Sequence, residues 1–162
     1  MDLHTLPTLN LPAAQLQVRR CADGVTRVHD PLRGKFVALT PEEWVRQNFV
    51  AHLTGNLGYP PALMGNEVSL TLNGTSRRCD TVLFSSNGLV PLMIVEYKAP
   101  GVEITQKVFD QIVRYNMVLR ARWLAVSNGL RHFCCEVDYD ARTCRFLPEF
   151  PSYAEISTSG GG

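Results

Sequence analysis

No apolar run in the sequence reaches the roughly 18 residues that a membrane-spanning helix needs, so no such helix is expected. The first residues show no basic patch followed by an apolar stretch, which argues against a secretory signal. CxxC pairs are absent. The five cysteines, Cys21, Cys79, Cys134, Cys135 and Cys144, form an odd and scattered set. In a chain long enough to build its own core, such a set reads as reduced thiols and points to the cytoplasm. An excess of charge is lacking too. Lysine and arginine number 16 against 15 acidic residues, for a formal net charge of +1. That balance does not announce a nucleic-acid binder, but a basic face offset by acids elsewhere is compatible with it.

What is present is enough for one packed domain. The chain has 162 residues, of which 45% are hydrophobic. Residues 1–39 read as an arm followed by short strands at 15–20, 26–29 and 35–39 that pack on the core. The main domain spans 40–150. It opens on Thr40-Pro41-Glu42-Glu43, a capping box with Thr40 as N-cap, Pro41 at N1 and Glu43 at N3. The helix it starts should run to about Leu57, ahead of Gly58 and Pro60-Pro61. Strands follow at 67–72, 77–84 and 90–98, joined by the turns Asn73-Gly74-Thr75-Ser76 and Ser85-Ser86-Asn87-Gly88. In the second of these strands, alternation puts Cys79, Thr81 and Leu83 on one face and Arg78, Asp80 and Val82 on the other. The third is the most apolar and is expected to be central. A helix over 104–119 with Val108, Ile112, Tyr115 and Leu119 on one face leads to strands at 122–126 and 131–137. A strand–helix–strand crossover makes the strand at 122–126 parallel to that at 90–98. The expected fold is a mixed α/β sheet, ordered helix, three-strand meander, crossover helix, strand. The tail 151–162 is weakly patterned and expected to be flexible.

Charge at the end of the apolar strand calls for an explanation. Glu96 and Lys98 follow Pro91-Leu92-Met93-Ile94-Val95 and, two apart, point to one face ~7 Å apart along the strand. Charges in such a place are costly unless paired or ligated. Asp80 lies on the neighbouring strand of the hairpin. Two carboxylates brought together there repel, and a hard divalent cation relieves that repulsion. Mg²⁺, or Mn²⁺ in its stead, takes one or two carboxylates, keeps several waters and accepts phosphate oxygens. Lys98 could then orient or deprotonate an attacking water and stabilise charge on phosphorus. The plainer reading is a structural Glu96–Lys98 pair at a strand end.

Asp80, fifteen residues, then Glu96-Tyr97-Lys98 resembles the PD-(D/E)xK nuclease motif. Gln111-Ile112-Val113-Arg114-Tyr115 is similar to the QxxxY motif of its RecB-like branch, and Glu43 resembles the additional acidic ligand of that family. The stretch 40–137, with Pro41-Glu42-Glu43-Trp44-Val45-Arg46-Gln47 and Arg78-Cys79-Asp80-Thr81-Val82, resembles the N-terminal domain of type I restriction enzyme R subunits. The resemblance covers about two thirds of the chain. It implies a restriction-endonuclease-like core and Mg²⁺-dependent hydrolysis of DNA. Metal binding falls to Asp80 and Glu96 with Glu43, catalysis to Asp80, Glu96 and Lys98, and DNA contact to Gln111 and Tyr115. The sequence departs from the motif at Cys79, where the name has proline. It also has no GxxxxGK[ST], so an ATP-driven motor would have to come from a restriction-system partner.

Each of these residues has an ordinary reading as well. Glu42 and Glu43 suit a helix N-terminus, and Gln111 and Tyr115 share a face with core Ile112. His132, Cys134, Cys135 and Cys144 invite zinc, but adjacent strand residues face opposite ways, so core thiols are expected. Arg19, Arg20, Arg27, Arg33, Lys35, Arg46, Arg77 and Arg78 are the candidate phosphate contacts. Arg77 and Arg78 adjoin the site and are the leading DNA-binding pair. Cutting both strands would call for a homodimer, for which no motif speaks. The alternative to an enzyme is a non-catalytic module that uses the same fold to bind nucleic acid or a partner protein.

Overall fold

A computed structural model describes residues 5–87 and 90–159. Gly88 of the second expected turn and the terminal glycines 160–162 lie outside the described residues. The order begins with three short strands, β1 (Val18–Arg20), β2 (Thr26–Asp30) and β3 (Lys35–Ala38), which form a small antiparallel sheet. Helix α1 (Pro41–Gly55) follows, and after a 3-10 turn come β4 (Met64–Leu72), β5 (Thr75–Phe84) and β6 (Pro91–Tyr97). Then come α2 (Gln106–Met117), β7 (Trp123–Ser127), β8 (His132–Asp138), β9 (Thr143–Phe146) and α3 (Tyr153–Ser159). The large sheet is ordered β4-β5-β6-β7-β8-β9. Every neighbouring pair in it is antiparallel except β6 and β7, which are parallel, as the α2 crossover requires. The apolar strand β6 is central, as its composition implied.

Two apolar clusters lie on the two faces of this sheet. Val45, Phe49 and Leu53 of α1 pack on Leu83, Met93, Val95, Tyr97, Trp123, Ala125 and Cys134. Phe109, Ile112 and Val113 of α2 pack on Val82, Ile94, Leu124, Val126 and Cys135. The alternation of β6 and β7 sorts the residues between the layers. It also separates the adjacent Cys134 and Cys135, and all five cysteines are free thiols.

Local chemistry starts the helices. Thr40 is extended and its hydroxyl accepts from the Glu43 amide at 3.1 Å, with Pro41 in the first turn. The expected capping box is only half made, because the Glu43 side chain is used elsewhere. Thr105 caps α2 in the same way through the Val108 amide at 3.2 Å. The buried residues of α2 are Phe109, Ile112, Val113 and Asn116, so Tyr115 does not share the core face as the spacing suggested.

The tail corrects the sequence reading. In place of a flexible segment, residues 153–159 form α3, with Ile156 fully buried beside Phe49 and Tyr59. The Tyr153 amide donates to the Leu57 carbonyl at 2.8 Å, and the Tyr59 hydroxyl donates to the Pro151 carbonyl at 3.0 Å. No helix among the described residues is long and apolar enough to cross a membrane.

Candidate metal-binding site

Asp80 lies at a break in the β4–β5 ladder. Asn66 pairs with Thr81 and Val68 with Cys79, but the rung between them, Glu67 against Asp80, is skipped. Glu67 has φ +55°, left-handed backbone that a residue with a Cβ seldom adopts in a strand. The alternation of β5 shifts here. Cys79 packs with Val82 and Ile94 on the α2 side rather than with Leu83 on the α1 side, which corrects the expected face assignment. Between β5 and β6 the register runs through Thr81 opposite Val95, so one step further sets Asp80 beside Glu96. The Tyr97 amide donates to Asp80 Oδ2 at 2.8 Å. Lys98 follows the end of β6, its amide donating to the Ser127 carbonyl at 2.9 Å.

Asp80, Glu96 and Lys98 are all half-buried. Burial, and next the charge of Asp80, push the Glu96 carboxyl up to about 7, against the pull of Lys98 and Arg46. Asp80 is likewise raised by burial, although the Tyr97 amide and the charges of Arg46 and Lys98 act the other way. Glu96 and Lys98 open onto a cavity of about 350 Å³ whose other wall is α2, through Val108, Gln111, Ile112 and Tyr115. Asp80 is not among the residues that line it.

The remaining candidates are placed unevenly. Gln111 is exposed on the cavity wall. Tyr115 is 46% exposed, and the Arg77 guanidinium stacks 4.5 Å from its ring centre and donates to its carbonyl at 3.2 Å. These three therefore form an open rim, not a buried tyrosine anchor. Arg78 is also exposed, and its Nε donates to Glu67 at 2.6 Å. Glu43 is buried and engaged. Its Oε1 accepts from Arg33 at 2.7 Å, and its Oε2 accepts from Gln47 at 3.0 Å and contacts Arg46 at 3.1 Å. Among the described residues, no group of three or more His, Cys, Asp or Glu is placed to hold a metal ion. Arg33 and Arg46, expected as phosphate contacts, are instead spent on these internal ion pairs.

Arg46 and Glu67 are the two residues near the site whose roles the sequence reading missed. Arg46 donates to the Asp80 carbonyl at 2.8 Å and to Glu67 at 2.6 Å. The one signal available was the i, i+3 spacing of Glu43 and Arg46, which speaks for a helix surface pair as readily as for a buried one.

Fold and site together define a three-layer α/β/α domain whose central strand β6 carries Glu96 near its end with Lys98 just beyond it, and whose neighbouring strand β5 carries Asp80. Residues 41–151 match the family described as the N terminus of the type I restriction enzyme R protein, and the chain belongs to that family. Among solved structures it is similar in fold to a fragment described as an HsdR subunit of a type I restriction enzyme from Vibrio vulnificus YJ016. The two are 20% identical with a TM-score of 0.52, over 74% of this chain and 25% of that one. The matched part of this chain spans about a quarter of that solved chain's length. No curated protein matches the chain.

Proposed function

We propose that the chain is a divalent-metal-dependent DNA phosphodiesterase domain of the PD-(D/E)xK kind, acting with a restriction-system partner in the cytoplasm. The observation that carries this reading is the acid pair. Asp80 and Glu96 meet on adjacent strands, both raised by burial and Glu96 by its neighbour's charge as well, beside a cavity that also holds Lys98. Hard oxygen donors in this number suit Mg²⁺ or Mn²⁺, which need only one or two protein carboxylates. When bound, the ion would polarise a phosphate and lower the pKa of its water. Asp80 and Glu96 would hold the ion. Lys98 orients the attacking water and stabilises charge on the phosphate oxygens. Gln111, Tyr115 and Arg77 on the rim, with Arg78 nearby, seat the DNA backbone. Glu43 could join the ligands only by leaving Arg33 and Arg46.

A second reading, a non-catalytic binding module, is favoured by that engagement of Glu43 alone. Supercoiled plasmid incubated with the chain and Mn²⁺ separates the two. Nicked or linear product, lost in EDTA and in Asp80→Asn, is the expected result. Linear product without a nicked precursor would mean that two copies act together. DNA retention without any cleavage would overturn the enzyme in favour of the module.

A further inference from the structure

At the skipped rung Glu67 and Asp80 do not pair across the β4–β5 ladder. A part-buried carbonyl at such a break needs a donor from elsewhere. The partner it has comes from another layer of the fold, where the Arg46 guanidinium donates to it at 2.8 Å. Arg46 is itself held on two sides. Its Nη2 donates to Glu67 at 2.6 Å, and its Nε lies 3.1 Å from Glu43. Its side chain is only 8% exposed. Glu67, the residue in left-handed backbone, is gripped by Arg78 as well, at 2.6 Å. Strain at Glu67 and the guanidinium bond at Asp80 are thus two sides of one irregularity. The β4 backbone turns away, and a side chain from α1 takes its place.

We propose that Arg46 is the positioning residue of the acid pair: its guanidinium replaces the skipped ladder rung and sets Asp80 where, with Glu96, it can take a divalent cation. This rests on the reading of the site given above. In this role Arg46 need be neither a metal ligand nor a DNA contact. It acts through the Asp80 backbone, with Glu67 as the brace that aims it. A lysine cannot do the same, because one ammonium cannot span the Asp80 carbonyl, Glu67 and Glu43 together.

Two measurements on the full chain test this, in Arg46→Lys and Glu67→Gln. The first is Mn²⁺ affinity by calorimetry, where loss of an outer partner weakens binding about tenfold or more. The second needs no metal. The Tyr97 amide donates to Asp80 Oδ2, so its hydrogen exchange reports where Asp80 sits. It should speed up by about tenfold relative to the amides of β7, a ratio that general destabilisation would not shift. Should Arg46→Lys fail to fold, Glu67→Gln decides alone. Parental Mn²⁺ affinity or parental Tyr97 protection in every folded variant overturns the proposal. If the parent itself takes up no Mn²⁺, the reading of the site falls, and Tyr97 exchange alone then decides whether Arg46 positions Asp80.

Discussion

Lys98 and Glu96 share a cavity but should fail differently when replaced. Lys98→Ala removes a group assigned to the chemical step, so cleavage should fall by at least about a hundredfold. Mn²⁺ uptake and thermal stability should stay near parental. Equal cleavage by parent and variant would return Lys98 to a structural pair with Glu96. Glu96 makes a prediction about the metal-free fold. Its carboxyl rises from 4.5 to about 7 in the folded chain, first through burial and then through Asp80. The folded state therefore favours the protonated acid. That contribution is complete below about 4.5 and is lost as pH rises through about 7. In EDTA, Glu96→Gln should accordingly gain roughly 1–3 kcal/mol over the parent at pH 8 relative to pH 5. Urea unfolding at the two pH values measures this, and an equal gain at both would refute it. Asp30 works in the opposite sense. Burial raises it, but the Asn66 amide, Arg33 and two backbone amides outweigh burial and hold it below its usual value. Its contribution is present at neutral pH and fades as pH falls below about 4.

At the scale of elements, α3 is the part whose importance a reader of the sequence would underrate. It has seven residues, too few for a helical period to show, and its value lies in one side chain. Ile156→Ala should cost about 2–4 kcal/mol in urea unfolding, because the vacated space lies against Phe49, Leu53 and Tyr59. A cost under 0.5 kcal/mol, within the ~±0.5 kcal/mol usual at the surface, would mean that α3 is not docked. Strand β9 was hidden for a related reason: all four of its residues are exposed, so no alternation marks it. By contrast α1, the meander, α2 and the parallel pairing were legible, since each has a start signal, a turn or an apolar run of its own. Asp80, Glu96 and Lys98 were legible because charge stands at the end of an apolar strand, whereas Gln111 and Tyr115 were legible only through their resemblance to a known motif. The shift of face at Cys79 was not. Nothing in the residue type of Glu67 announces positive φ, as a glycine or asparagine there would have done. Nor could spacing reveal that Glu43 would turn from Thr40 and toward Arg33 and Arg46.

On the scale of the whole molecule, saturating Mn²⁺ should raise the unfolding free energy by about 2.7 kcal/mol at a hundred times its Kd, provided the unfolded chain does not bind it. The Asp80→Asn, Glu96→Gln double variant should show no such rise. The sheet has one further consequence, and it concerns time rather than stability. Asp80 and Glu96 belong to neighbouring antiparallel strands close in sequence, whereas β6 meets β7 only after the α2 segment has crossed over. Short closures come early in folding and crossovers late. The meander is then the natural nucleus, and the chain must bring its two acids together before the rest of the core can reward it. In EDTA at neutral pH, Asp80→Asn should therefore speed refolding. Ile156→Ala, in α3 and far in sequence from the meander, should chiefly speed unfolding. Stopped-flow refolding and unfolding limbs in urea would distinguish the two. A refolding rate unchanged by Asp80→Asn would place the acids outside the nucleus. A chemistry that needs two carboxylates side by side would in that sense delay the birth of every molecule that carries it.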